Sequence, residues 1–162
     1  MSWYRGIFYA LVAVALIQVI YYYPRVPDVV ASHFDGLGAP NDWSSRNGFF
    51  GIYLAILLLL VAVFDFVPRW SGLRSNFGMK MPNRDYWLAP QRVDQTKLFF
   101  RRQMFIMGCA HLLLSIYAIQ LAIEANFSPH PRLHPSIGWA LLLYFIFLAG
   151  WLVHFFLHFR KP

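Results

Sequence analysis

Charged residues are scarce in this chain, and cysteine is almost absent. Only 13% of the 162 residues are charged, whereas 59% are hydrophobic. A soluble domain carries about 25% charged residues, so this chain lacks the polar surface that a water-soluble fold needs. The single cysteine, Cys109, excludes an intramolecular disulfide. The chain also lacks a zinc spacing, a phosphate loop and a nucleophile motif, so we predict a non-enzymatic protein without a metal.

Uninterrupted apolar runs predict an all-α membrane protein with four transmembrane helices. A helix needs about 20 apolar residues to cross a bilayer. The first run ends in three consecutive tyrosines, which suit the membrane interface, and it is longer than the core of a signal peptide. We therefore expect it to be a retained anchor in a single membrane domain. The predicted spans are residues 7–23, 49–67, 104–123 and 136–159.

The distribution of basic residues predicts the orientation. The N-terminus, the 68–103 loop and the C-terminus hold eleven Lys and Arg residues, whereas the two remaining loops hold three. By the positive-inside rule, this places both termini and the 68–103 loop in the cytoplasm. The net charge of +7 is then explained by topology and anionic lipid, and a nucleic-acid partner is not expected.

The loop at 24–46 is predicted to form an ordered extracytoplasmic cap. Two prolines end the first helix, Val29 to Ala31 suit a short strand, and Ser44 or Ser45 suits the N-cap of the second helix. A dense polar and aromatic group follows, which favours either a turn-stabilised cap or a ligand site. The candidate residues of this cap are His33, Asp35, Asn41, Asp42 and Trp43.

The cap sequence resembles a bacterial membrane family, the domain of unknown function 1648 (DUF1648) family. This domain also forms the N-terminal part of the immunity proteins against the sporulation-delaying toxin. The resemblance implies a multi-pass protein of the bacterial cytoplasmic (inner) membrane, and it implies no defined chemistry. It is carried by Pro27, His33, Phe34, Asp35, Gly38, Pro40, Asp42 and Trp43, which precede a membrane span.

The 68–103 loop alternates aromatic and basic residues. That mixture is typical of a segment that lies on the membrane surface, with rings at headgroup level and cations in water. A docking surface for a partner protein is the alternative interpretation. Pro90 suits the first position of a helix that continues into the third span. The candidate residues of this surface are Trp70, Arg84, Tyr86, Trp87 and Arg92.

Three ionisable residues are predicted at similar depths in three spans. Asp65, His111 and His154 all lie near the cytoplasmic side, and such groups tend to face the bundle interior. Three interpretations stay open: a structural clamp, a proton or ion relay, and a haem site with two histidine ligands. Gln18, Gln120 and Glu124 form a second candidate polar group nearer the other side.

The sequence therefore favours a binding or accessory protein of the membrane over an enzyme. It would be a subunit of a larger complex, or an immunity- or sensor-like protein that responds through its cap. The alternatives are a small proton- or ion-coupled transporter and a haem-bearing electron-transfer subunit. The expected partners are the lipid bilayer, another membrane protein or a second copy of the chain, and no cofactor is expected unless the haem alternative holds.

Overall fold

Four long helices and one β-hairpin make up the protein in a computed structural model, which describes residues 3–66, 68 and 82–160. All four helices are long and apolar enough to cross a membrane, which confirms the predicted fold class. The elements are α1 (Trp3–Tyr22), β1 (Val29–Phe34), β2 (Pro40–Ser45), α2 (Arg46–Val61), α3 (Arg84–Trp87), α4 (Val93–Ala125) and α5 (Ser136–Arg160).

The second helix begins at a side-chain cap and ends in a wider turn. Ser45 Oγ accepts a hydrogen bond from the Gly48 amide at 3.1 Å, which satisfies one of the unpaired donors at the helix start. After Val61 the chain continues as a π-helical turn over Ala62–Phe66. A π-turn holds more residues than an α-turn, so two consecutive residues, Phe64 and Asp65, are buried together.

The core lies between α1, α2 and α4, and α4 is its central helix. α1 makes its most extensive contact with α4. Near one end, the rings of Phe8 and Phe105 pack edge to face with centroids 5.3 Å apart. Gly108 lets these helices approach closely, since a Cβ there would lie 2.7 Å from Phe8 Cε2 and 2.9 Å from Phe64 Cβ. We call α1, α2, α4 and the hairpin the three-helix core.

The last helix, α5, joins this core only loosely. It packs against α4, yet over its whole described length the one buried residue is Phe159. The bundle thus has two distinct ends. The cap end carries the hairpin and the 126–135 connection, and the loop end carries α3 and the C-terminus of α5. The third long helix starts earlier than its predicted span and begins at Val93, after a turn at Pro90.

Candidate functional site

The cap is an antiparallel β-hairpin with two irregularities. β1 and β2 pair with Val30 opposite Ser44 and His33 opposite Asp42, and Ser32 and Asn41 are bulged out of the register. The sequence predicted only a short strand in β1. No strand was predicted over residues 40–45, and the pairing with β1 holds this polar segment extended.

The hairpin turn is built by Asp35. Its Oδ1 accepts hydrogen bonds from the amides of Leu37 and Ala39 at 2.8 and 2.9 Å, and its own amide donates to the Ala39 carbonyl at 2.8 Å. This is the turn-forming role that short acidic side chains often take. Asp35 is therefore engaged with the backbone, and it acts as a structural residue of the cap in this arrangement.

Asn126, just after α4, fixes the hairpin to the helical bundle. Its Oδ1 accepts from the Ala31 amide at 2.7 Å, and its Nδ2 donates to the Ala31 carbonyl at 3.0 Å. The side-chain amide thus imitates a neighbouring strand on the outer edge of β1. Asn126 and Ala31 are both buried, so these bonds form where water cannot replace them. The sequence analysis missed Asn126, since an Asn after a helix resembles an ordinary C-terminal cap.

A second attachment joins the hairpin turn to the 126–135 connection. The Leu133 amide donates to the Gly38 carbonyl at 2.9 Å. Gly38 has a φ of +78°, and a Cβ at this position would lie 2.7 Å from the Leu133 carbonyl oxygen. Only glycine fits both the left-handed conformation and the close approach. A third attachment is the ion pair of Arg46 with Asp28, at the base of the hairpin.

The remaining candidate residues of the cap point away from the bundle. His33, Asn41 and Asp42 are exposed, and Asp42 Oδ1 accepts from the Trp43 amide at 2.8 Å. Trp43 is 51% exposed. Leu37, at the tip of the hairpin, is 85% exposed. The cap therefore presents apolar and polar side chains on a backbone that is held at three places.

Below the hairpin, a polar network with buried Gln18 and Tyr53 at its centre connects α1, α2 and α4. Gln18 is at its centre: its Oε1 accepts from Tyr53 Oη at 2.8 Å, and its Nε2 donates to Gln120 Oε1 at 2.9 Å. Gln120 in turn donates to Tyr22 Oη at 2.9 Å and to Glu124 Oε1 at 2.7 Å. The second polar group of the sequence analysis is thus brought together, and Tyr53 and Tyr22 complete it.

Asp65, His111 and His154 do not form one cluster, which corrects the sequence-based prediction. Asp65 accepts a hydrogen bond from Tyr9 on α1. His111 bonds to Tyr144 on α5, and His154 is exposed with its ring beside Phe99 at 6.3 Å between centroids. The three side chains face different neighbours: α1 for Asp65, α5 for His111 and α4 for His154. The relay and haem interpretations assumed that these side chains lie together, and the structure does not show that arrangement.

The ring nitrogens of His111 are both engaged. Nδ1 lies 2.9 Å from the Met107 carbonyl, which can only accept, so Nδ1 carries the hydrogen. Nε2 then accepts from Tyr144 Oη at 2.9 Å. This neutral tautomer joins α4 to α5, which is the clamp interpretation for His111. Among the described residues, no group of three or more His, Cys, Asp or Glu side chains is placed to hold a metal ion.

The predicted membrane-surface loop contains a clamp on α5. Trp87 Nε1 donates to the Phe159 carbonyl at 3.1 Å, and Asn83 Nδ2 donates to the Arg160 carbonyl at 2.9 Å. These bonds satisfy carbonyls that every helix end leaves unpaired. The His158 ring lies between Trp87 and Phe99, with centroids 4.9 and 3.7 Å away.

The other candidate residues of this loop are placed differently from Trp87, which contacts α5. Arg92 lies over the Tyr86 ring at 4.0 Å, and both Arg84 and Arg92 are exposed. Trp70 lies outside the described residues. The ring of Trp87 packs against the end of α5 and its N–H donates there, so this residue has a structural contact that the sequence did not predict.

One family matches this chain. Residues 10–60 match the family described as Domain of unknown function (DUF1648). A search of the curated proteins and a search of the solved structures each found no match. The matched segment runs from α1 through the hairpin into α2 and contains all the cap residues that carry the resemblance. The resemblance is confirmed over this segment, because residues 10–60 of this multi-pass protein match the DUF1648 family.

Proposed function

We propose that this protein is a non-enzymatic accessory or binding protein of the membrane, and that the hairpin is its recognition element. The observation that carries the proposal is the way the cap is built. Asn126, Gly38 and the Asp28–Arg46 pair fix its backbone, while Leu37 and Trp43 stay exposed. A fixed backbone lowers the entropy lost on binding, and exposed Trp side chains are frequent anchors of interfaces.

The loose attachment of α5 supports the same proposal. Its apolar side chains, such as Leu143 and Phe145, are 66% and 59% exposed. Within the membrane these side chains meet either lipid or another helix. A subunit of a larger membrane complex would use this face beside its partner, and an immunity- or sensor-like protein would need the cap alone.

The proposed orientation follows from charge. Residues of the loop end and of both termini carry most of the Lys and Arg, so this end would face the cytoplasm and the hairpin the outside. An inner membrane of a bacterium is the proposed location. In this orientation the cap meets extracytoplasmic ligands or the outer parts of neighbouring membrane proteins.

Site-specific photo-crosslinking in native membranes tests the proposal. A photoreactive phenylalanine analogue would replace Leu37 or Trp43, and the adducts would be analysed by mass spectrometry. We expect one protein adduct of fixed mass from both positions. The matched control is Leu98, which is 59% exposed at the loop end and should not give this adduct. Adducts with lipid alone, or the same protein adduct from Leu98, would contradict the proposal.

A second variant tests whether the adduct depends on the fixed position of the hairpin. Asn126→Leu removes the attachment of β1 while leaving Leu37 and Trp43 unchanged. If recognition needs the fixed hairpin, the adduct from either position falls several-fold in this background. An unchanged yield would show that the hairpin binds as a flexible loop and that its attachment is unrelated to recognition.

A further inference from the structure

A small polar cleft lies at the cap end, beside the hairpin. It encloses about 220 Å³ between the last turn of α4 and the 126–135 connection. One carboxylate, one guanidinium and two imidazoles line it, from Glu124, Arg132, His130 and His134. Glu124 and Arg132 form no ion pair with each other, and Gln120 Nε2 holds the Glu124 carboxylate at 2.7 Å. Both charges thus remain open to a ligand.

The walls of this cleft are held in place. Its connection contains Pro129, Pro131 and Pro135, and the Leu133 amide is fixed to the hairpin. His134 Nδ1 accepts from Ser136, whose hydroxyl and amide lie 2.6 and 3.2 Å away. The ring hydrogen therefore lies on Nε2, which remains a donor for a ligand.

A separate apolar groove lies between α4 and α5, further along α4 from this cleft. It encloses about 500 Å³ and is lined by residues such as Ala110, Leu114, Tyr117, Ala140 and Leu143. Leu114 and Tyr117 share one helical face with Leu121 and Glu124, which line the cleft. From Ala110 to Glu124 this face extends about 21 Å, a length that accommodates much of an acyl chain.

A hydrogen-bonded chain joins the groove to the cleft. Tyr117 Oη, at the end of the groove, donates to Ser136 Oγ at 2.7 Å, and Ser136 in turn bonds to His134 in the cleft. The groove and the cleft therefore lie close together, and one amphiphile is long enough to reach from the groove into the cleft. The groove is lined almost entirely by apolar side chains, whereas the ionisable side chains of Glu124, Arg132 and His134 lie in the cleft.

We infer that this combined site binds a phospholipid whose headgroup carries both a phosphate and a primary ammonium group, as in phosphatidylethanolamine. Arg132 and His134 would donate to the phosphate, Glu124 would accept from the ammonium, and one acyl chain would lie along the groove. The carboxylate decides between lipid classes, because it attracts an ammonium and repels a headgroup that is only anionic. The inference does not depend on a protein partner for the hairpin.

Native mass spectrometry of the full-length protein tests this inference. The protein would be released from nanodiscs that contain equal amounts of phosphatidylethanolamine and phosphatidylglycerol, and the retained lipid would be counted. We expect phosphatidylethanolamine to be retained at least about fivefold more, and Arg132→Gln to lower its retention by about fivefold, the effect of one exposed charge pair. Glu124→Gln should remove the preference and not the binding.

Matched variants separate the site from general lipid adhesion. Arg25→Gln removes a cation at the same end of the bundle but outside the cleft, and it should retain lipid as the unaltered protein does. Leu143→Trp fills the groove from an exposed position, so it should fold normally and lower retention of both lipids. Equal retention of both lipids by the unaltered protein would overturn the inference. The inference would also be overturned if Arg132→Gln retained as much phosphatidylethanolamine as Arg25→Gln does.

Discussion

The long helices of the three-helix core and α5 are all apolar enough to cross a membrane, yet they are built into the protein in different ways. In the core, buried polar groups connect the elements: Gln18 joins three helices, and Asn126 joins α4 to the hairpin. α5 is attached at the Tyr144–His111 bond and at its clamped C-terminus, with little burial between them. The comparison teaches that apolar length brings a helix into the membrane, while polar contacts and close packing decide which helices form a unit.

The largest loss of stability is expected from Asn126→Leu, which removes the hydrogen bonds between α4 and the hairpin. The change leaves the buried amide and carbonyl of Ala31 without partners. Unsatisfied buried groups are costly, so the free energy of unfolding should fall by about 3 kcal/mol. Thermal unfolding in mild detergent measures the loss, and hydrogen exchange should show the Ala31 amide becoming accessible.

The control for this prediction is Asn41→Ala. Asn41 is an exposed residue in a bulge of the same hairpin, so its removal should change stability by less than about 0.5 kcal/mol. Equal effects of the two variants would mean that the hairpin is held by something other than the Asn126 amide.

A pair of glycine substitutions should change stability in opposite directions. Gly108→Ala places a methyl group against Phe8 and the Phe64 Cβ inside the core, and overpacking of this kind costs about 2 kcal/mol. Gly150→Ala on α5 meets no atom within 4 Å and should stabilise by about 0.7 kcal/mol through helix propensity. Melting temperatures of both variants suffice as a test. A clear loss of stability in Gly150→Ala would show that α5 has a packed neighbour.

The hairpin turn offers a sharper test of one attachment. Gly38→Ala forces a side chain into a left-handed conformation and against the Leu133 carbonyl, so we expect a loss of about 1.5 kcal/mol. Gly36→Ala, two residues earlier in the same turn, has open space and should be nearly neutral. The difference between the two unfolding free energies measures the contact between the hairpin and the 126–135 connection. A difference near zero would mean that this contact does not contribute to folding.

The smallest effects concern single hydrogen bonds between helices. Tyr53→Phe removes a bond in the buried core network, and Tyr144→Phe removes the bond between His111 and α5. Such bonds average about 0.6 kcal/mol and reach about 1.7 kcal/mol within membranes. Because Tyr53 is buried and Tyr144 is partly exposed, we expect Tyr53→Phe to cost more. The reverse order, measured by unfolding in detergent, would contradict the division into core and attached helix.

Turn-forming residues in the sequence predicted an ordered cap, but the sequence did not predict that β1 pairs with a second strand. The Asp35-Gly36 step and the prolines predicted an ordered loop, and Ser45 was among the expected N-caps. β2 was missed because its sequence, PNDWSS, is polar and lacks a strand-like alternation. Its extended form depends on β1, which lies six residues earlier across the turn.

The sequence could not predict the contacts of the ionisable residues in the predicted spans. Position along a helix predicts an approximate depth, so the sequence predicts Asp65, His111 and His154 toward the same end of their helices. Which face each presents depends on helix rotation, and the π-helical turn at 62–66 changes that rotation for Asp65. A single extra residue in a turn moves a side chain by a large angle, and the sequence carries no clear sign of such a turn.

The sequence by itself determined four helices, in the part of the chain that the structure describes, that are long and apolar enough to cross a membrane, together with a turn-rich cap and a resemblance to one family over residues 10–60. These features depend on local properties: apolar length, turn residues and short motifs. Only the tertiary structure decided that Asn126 holds the hairpin, that Gln18 connects three helices and that α5 stands apart. Those contacts join residues up to about a hundred positions apart, and their geometry depends on how whole helices rotate and pack.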